Sequence, residues 1–442
     1  MDKKVVTIAV GTLFQDAGEA TRAIEIAKGI KEYKPEGVDL RIVFLSRGSR
    51  FEERAREAGF EIYHAEPRMS GIGFHQDLKP RPEKGEFIGD EKIAYELLEG
   101  EIKAYGEIKP DLVLYGFWPI AGVARRMTAK EIPGICFLPL PLTEAFLDVM
   151  PDVPEQIKPL ALLPYKIRIG IFRRIPRFIK ERMPLLRQKN IRGAAFRGGW
   201  RGGPLLNLFS LLKADLTLVN DLPDYYERNV FPENVMFTGP VFSRAGSEEQ
   251  LSPRINEVFD PQNGKIRIYC TLGSSGTKRQ LLEIVKVFTQ GKGLEWNAVI
   301  LSPESVCPVE EARAALGNRS GVYITYSFVP AQKVNSLADI VVCHGGQGTL
   351  QTALASGTPF VGVAMQQEQF INLSNAARYG AGIRVPFDDW RAEAIRRSIL
   401  KVISDVKYKK AALRLQERIN CMDGRRKSAE MIWKRISGLC LF

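Results

Sequence analysis

No stretch of this 442-residue chain approaches the ~18 consecutive apolar residues that a membrane-spanning helix needs. The six cysteines (Cys136, Cys270, Cys307, Cys343, Cys421 and Cys440) contain no Cys-x-x-Cys pair. That spacing argues against a zinc site, and their apolar contexts suit reduced thiols in the cytosol. There is no short-period repeat and no low-complexity tail. The opening Met1-Asp-Lys-Lys precedes an apolar run that ends at once in Gly11-Thr12, which suits a first strand better than a signal peptide. A cytoplasmic protein is expected, at most peripheral at the inner membrane face. With 45% apolar and 26% charged residues the composition is that of an ordinary globular protein, and 442 residues are too many for one core, so two domains are expected.

The net charge of +12 is concentrated. Residues Tyr165 to Arg201 hold twelve Lys/Arg and one acid, Glu181, for +11 in a single segment. Its apolar members are Ile167, Ile169, Ile171, Phe172, Ile175, Phe178, Ile179, Leu185, Leu186, Phe196 and Trp200. A basic amphipathic stretch of this kind suits an anionic membrane surface. A solvated helical face ending in a mobile Gly/Arg loop, Arg192–Gly203, is the plainer alternative, and nucleic acid the third.

The densest signal runs from Ala338 to Pro359. Ile340–Cys343 reads as a buried strand and Gly345, Gly346 and Gly348 as a turn. A helix follows from about Thr349 to Gly357. A glycine turn lets backbone approach a ligand, and the helix start aims free N–H groups at it: a diphosphate-sized anion site with His344 at its lip. The rest of the chain alternates similarly. Strands are expected at Val5–Val10, Leu40–Leu45, Phe60–His64, Asp111–Tyr115, Gly134–Leu138, Leu216–Asn220 and Val235–Phe237. A second series follows at Ile266–Leu272, Ala298–Leu301, Val322–Tyr326 and Phe360–Val363. Residues 79–107 read only as a charged stretch. Strands interleaved with helices give an α/β fold of two Rossmann-like, doubly wound domains facing across a cleft, with ligands at the strand C-termini. The expected boundaries are 1–240, a linker at 241–262, 263–424, and a final helix, 425–442, returning to the first domain.

The C-terminal half resembles the UDP-glycosyltransferase superfamily, whose architecture is GT-B. The residues that carry the resemblance are Thr238-Gly-Pro, Tyr269-Cys-Thr-Leu-Gly-Ser274, Phe328-Val-Pro-Ala-Gln332, His344-Gly-Gly-Gln-Gly-Thr-Leu, Gly357-Thr-Pro, Gln367-Glu-Gln369, Asn375-Ala and Gly380-Ala-Gly. The first half matches more loosely, at Gly11-Thr12 and Gly18–Ala27. The resemblance implies a nucleotide-sugar donor site. Phe328 and the Val329 backbone would take the base; His344, Gly346 and the N–H groups of Gly348 and Thr349 would take the diphosphate. Ser274 or Ser275 would reach the diphosphate or sugar, and Glu368 and Gln369 the sugar hydroxyls. Thr352 stands where many relatives carry a ribose-gripping Glu, which leaves the choice between UDP and TDP open. Glu19 falls at the position of the acceptor-activating base, with Asp16 in the same loop as its competitor. An acceptor wall would include Phe117, Trp118, Leu140 and Phe146.

The implied activity is inverting transfer of a hexose to a hydroxyl of a hydrophobic small-molecule or lipid acceptor, with the UDP-sugar as co-substrate and no other cofactor. No Asp-x-Asp triplet occurs, so an obligatory metal is not implied. The alternatives are a UDP-sugar epimerase of the same fold, a non-catalytic nucleotide-sugar-binding accessory protein, and, least favoured, a nucleic-acid-binding protein.

Overall fold

The computed structural model describes residues 5–49, 51–71, 74–149, 162–183, 186–227, 229–243, 250–327 and 329–439. These form two compact units. One comprises the described residues of Met1–Val153, Leu162–Val241 and Asp423–Phe442; the other comprises those of Phe242–Met422.

The first unit is built on seven parallel strands: β1 (Val5–Gly11), β2 (Asp39–Ser46), β3 (Glu61–His64), β4 (Leu112–Tyr115), β5 (Gly134–Leu138), β6 (Leu216–Val219) and β7 (Val235–Phe237). Their order is β3-β2-β1-β4-β5-β6-β7. Strand order reverses between β1 and β4, which pair with Gly11 opposite Tyr115. Both sheet faces are covered, so the strands are apolar on both sides rather than alternating with polar residues. Val6, Ile8 and Val10 pack on one face with Ile26 and Ile30 of the Ala17–Glu32 helix. Ala9, Val113 and Tyr115 pack on the other, with Leu97 and Tyr105 of the Glu91–Ile108 helix.

That second helix occupies much of the stretch that reads as merely charged. Asp90 caps it by accepting from the Ile93 N–H at 3.0 Å. Ala94, Leu97, Leu98, Ala104, Tyr105 and Ile108 form its buried stripe, while Lys and Glu cover the outer face and mask the period. The final helix, Gly424–Gly438, lies along Ala17–Glu32 in the same unit, and the Trp433 indole N–H donates to the Ile30 carbonyl at 3.0 Å.

The basic segment folds as helices at Tyr165–Arg174, Arg177–Lys180 and Lys189–Arg197. The expected Gly/Arg loop is therefore helical as far as Arg197, because Ile191, Ala194 and Ala195 are buried in the core shared with Leu97 and Leu98. Leu185 lies outside the described residues.

The second unit holds six parallel strands: β8 (Arg267–Thr271), β9 (Asn297–Leu301), β10 (Val322–Thr325), β11 (Ile340–Cys343), β12 (Phe360–Gly362) and β13 (Gly382–Arg384). The order is β10-β9-β8-β11-β12-β13, again with one reversal, here between β8 and β11. Thr271 pairs with Cys343, so both strands end side by side. Ile268, Cys270, Ile340 and Val342 join Leu281 and Ile284 in its core. Strand β13, three residues opening on a glycine, is absent from the strands read along the sequence, and the helix after β12 runs over Gln367–Arg378. Among the described residues no helix is long and apolar enough to cross a membrane. Cys136, Cys270, Cys307 and Cys343 are buried free thiols and Cys421 is an exposed one; Cys440 lies outside the described residues.

Candidate functional site

In open α/β sheets ligands collect where strand order reverses, beyond the strand C-termini. In the second unit that point is the pair of turns leaving β8 and β11. His344 is the first residue after β11 and is only 7% exposed. Its ring is flanked by two glycines. A Cβ on Gly273 would come within 2.7 Å of His344 Cε1 and 2.8 Å of Nε2. A Cβ on Gly346 would overlap Nε2. The turn itself needs Gly345, whose φ is +80°, and Gly273 has φ +58°.

Burial draws the His344 imidazole down to about 4 from its ordinary 6.5, partly offset by the Thr271 backbone. The ring is therefore neutral at pH 7 and carries a single N–H. Its Nδ1 is buried and has no hydrogen-bond partner among the described residues.

The Gln347–Ala355 helix starts directly after Gly346, which supplies no side-chain cap. Gly348 and Thr349, in its first turn, are half-buried, and the first-turn N–H groups of a helix have no partner within it. A helix N-terminus, a neutral imidazole and glycine turns together offer donors to an anion without placing a fixed cation against it. Thr352 lies one turn further along, and its hydroxyl donates to the Gly348 carbonyl at 2.6 Å. That proton is spent within the helix, leaving an acceptor oxygen.

Helix Gln367–Arg378 closes the group. The Gln369 amide nitrogen donates to Ser275 Oγ at 2.9 Å, and its oxygen accepts from the Met365 N–H at 2.9 Å. The Asn372 amide nitrogen donates to both the Gly345 carbonyl, at 3.1 Å, and the Glu368 carboxylate. Asn372 carries no mark in the motif reading. The signal that could have found it is its position four residues after Glu368, on the same helix face. Ser274 is exposed, Val329 is buried, and Phe328 lies outside the described residues.

In the first unit the reversal falls between β1 and β4, and Glu19 bridges the two loops there. Its Oε2 accepts from the Phe117 N–H at 2.9 Å and the Thr12 hydroxyl at 3.2 Å. Its Oε1 pairs with the buried Arg22 guanidinium. With three donors on it and 4% exposure, this carboxylate is chiefly a brace. Asp16 differs. It is the N-cap of Ala17–Glu32, with Oδ1 accepting from the Gly18 and Glu19 N–H groups at 2.9 and 3.0 Å. It is half-buried, and its Oδ2 accepts nothing from the described residues.

The expected acceptor wall is largely core. Trp118, Leu140 and Phe146 are buried. Trp118 Nε1 approaches Glu101 at 3.4 Å, and the Leu140 N–H donates to Asp221 at 2.7 Å. The proline-bounded run after β5 turns inward rather than lining a surface, so only Phe117, half-buried with its ring 5.0 Å from that of Phe87, remains available.

Residues 306–431 match the family model of the erythromycin biosynthesis protein CIII-like C-terminal domain. A PGL/p-HBAD biosynthesis glycosyltransferase of Mycobacterium tuberculosis is 29% identical over 216 residues, 49% of this chain and 46% of that protein. The chain thus spans about half the length of the curated relatives it matches. Among solved structures, the glycotransferase of kitacinnamycin superposes with a TM-score of 0.67 at 18% identity, covering 98% of this chain and 99% of the other. A spinosyn rhamnosyltransferase complexed with thymidine diphosphate gives 0.58 at 16%, covering 97% and 99%. These likenesses, of fold across nearly the whole chain and of sequence at residues 306–431, agree with the His344 and Gln367–Gln369 motifs and with the two Rossmann-like sheets. The chain has the GT-B fold, and its sequence is similar to glycosyltransferases over the matched residues.

Proposed function

We propose that the protein transfers a hexose from a nucleotide sugar to a hydroxyl of a hydrophobic or lipid acceptor, with inversion at the anomeric carbon and without an obligatory metal. The observation that carries this reading is the neutral, glycine-flanked His344 at the strand reversal of the second unit, beside the helix N-terminus at Gly346.

In the proposed reaction a carboxylate takes the acceptor's hydroxyl proton. The resulting oxygen bonds to the anomeric carbon as the bond from that carbon to the diphosphate oxygen breaks. The departing diphosphate takes the bonding pair, and its charge is met by the His344 N–H and the first-turn N–H groups, including those of Gly348 and Thr349. Ser274, the exposed hydroxyl of the β8 turn, supplies a further donor. Ser275, Glu368 and Gln369 hold the sugar, and Val329 together with Phe328 holds the base.

Asp16 is the better base of the two carboxylates. One of its oxygens accepts nothing from the described residues, whereas both oxygens of Glu19 carry donors. Glu19 then acts by positioning, holding the β1 and β4 loops together. UDP is the donor nucleotide that the resemblance implies. TDP is the alternative, supported by the thymidine diphosphate in the spinosyn relative and by Thr352, whose hydroxyl has no proton left for a ribose oxygen. The exposed apolar and basic side chains of segment 165–201 support a lipid-side acceptor and contact with an anionic membrane.

The test is incubation with UDP- and TDP-hexoses and a panel of apolar alcohols, phenols and lipid hydroxyls. Acceptor-dependent release of nucleoside diphosphate, with a hexose mass gain on the acceptor, is expected. Conversion of the free nucleotide sugar to its epimer without acceptor would contradict the reading.

A further inference from the structure

Helices Tyr165–Arg174 and Arg177–Lys180 carry side chains on the wrong side for a water-facing surface. Leu162 is 86% exposed, Phe178 59%, Ile167 53% and Ile179 48%, and Ile171 is exposed with them. Ile167 and Ile171 are one turn apart and share a stripe. The opposite side of the same helix is already satisfied, with Ile169 and Phe172 buried. The outward apolar residues are therefore not a misplaced core face.

The charges around them are arranged one-sidedly. Three acids lie near, Glu144, Asp148 and Glu181, and Arg177 pairs with all of them, at 2.8 Å to Asp148 and 2.9 Å to Glu181. Lys166, Arg173 and Arg174 are exposed and make no ion pair among the described residues. The local acids are thus neutralised inside the scaffold while these cations face outward.

We propose that this pair of helices is a docking face for anionic phospholipid, inserting Leu162, Ile167, Ile171, Phe178 and Ile179 between headgroups that Lys166, Arg173 and Arg174 hold. The chemistry favours a bilayer over nucleic acid. Aliphatic side chains add nothing to phosphate tracking, and base stacking needs aromatic faces, of which the patch has one. The face is also clamped. The Lys180 ammonium donates to the Leu147 carbonyl at 3.0 Å, and Arg177 holds Glu144 and Asp148, all on the chain leaving the C-terminal end of β5. Strand C-terminal ends are where such sheets bind ligands. Docking therefore registers the lipid surface against the ligand-binding end of the first unit, a role that rests on the lipid-acceptor reading, although the docking does not.

The test is co-sedimentation of the full chain with vesicles of phosphatidylcholine alone and of phosphatidylcholine with phosphatidylglycerol. Binding to the mixed vesicles only, weakened by salt, is expected. Ile167→Glu with Phe178→Glu, or Arg173→Ala with Arg174→Ala, each lowers the partition coefficient at least about tenfold. UDP or TDP titration of the same variants is unchanged by these surface substitutions, which separates loss of docking from loss of the donor site. Equal binding to neutral vesicles would overturn the proposal. So would variants that bind like the wild type, a self-association abolished by the apolar substitutions, or RNA that competes the protein off the vesicles and binds it more tightly.

Discussion

The Gln369 amide donates to Ser275 Oγ over 2.9 Å, joining the helix after β12 to the turn after β8. Strand β11 lies between those two in the sheet, so this one bond spans the place where His344 emerges. The same Gln369 accepts from the Met365 N–H. A residue read as a sugar ligand is also the tie that fixes the mouth of the site.

Replacing that tie separates its two roles. Gln369→Ala removes the acceptor of the half-buried Met365 N–H and is expected to cost about 1–2 kcal/mol in urea unfolding. Ser275→Ala removes only the other end and should cost about 1 kcal/mol. The double variant should fall short of the sum by about 0.5–1.5 kcal/mol, the coupling of a direct hydrogen bond. Strict additivity would mean that the bond contributes nothing.

The buried imidazole predicts a specific pH dependence. His344 titrates near 4 when folded, against 6.5 when unfolded, so below pH 6.5 the unfolded chain binds the extra proton. Its contribution to stability is intact above pH 6.5, falls as pH drops, and is fully lost below about 4. At ~1.4 kcal/mol per pKa unit the whole loss is about 3 kcal/mol. Urea midpoints from pH 7 to 4 should fall less steeply for His344→Ala than for the wild type, and parallel curves would refute the burial argument.

Glycine substitutions distinguish site from scaffold. Gly346 has ordinary dihedrals, φ −56° and ψ 139°, so Gly346→Ala strains no backbone and only pushes on His344. Nucleotide affinity is expected to fall at least about tenfold, ~1.4 kcal/mol, with unfolding shifted by less than ~1 kcal/mol. Gly345→Ala meets Leu373 at φ +80° and should destabilise the fold by about 1–3 kcal/mol. The two effects exchanged would contradict the geometry.

The two carboxylates of the first unit can be told apart similarly. Asparagine caps helices as well as aspartate does, so Asp16→Asn should leave stability within ~0.5 kcal/mol while lowering transfer at least about a hundredfold. Glu19→Gln removes the negative charge facing the buried Arg22 guanidinium and should cost about 1–3 kcal/mol. Full turnover by Asp16→Asn, with a stable but inactive Glu19→Gln, would return the base to Glu19.

Much of the frame is readable along the chain. Strands such as Gly134–Leu138 and Ile340–Cys343 are continuous β-branched or apolar runs between turn residues, and their ends fall as expected. His344 is readable because a histidine follows such a run and two glycines follow it. The charged stretch before Leu112 hid a helix because surface Lys and Glu outnumber its apolar stripe. The brace role of Glu19 is not legible at all, because the N–H it accepts from, that of Phe117, is 98 residues away. Leu140 and Phe146 look like pocket residues in one dimension, and only the inward turn after β5 shows them to be core.

The central claim is that His344 and the turn around it hold the diphosphate of a nucleotide sugar. Calorimetric titration of UDP, TDP and GDP into the wild type and His344→Ala tests it most directly. The account predicts binding of UDP or TDP by the wild type, weakened at least about tenfold in the variant, with a loss of turnover of about 10²–10³. Equal affinity in both proteins, or no nucleotide bound by either, would contradict it.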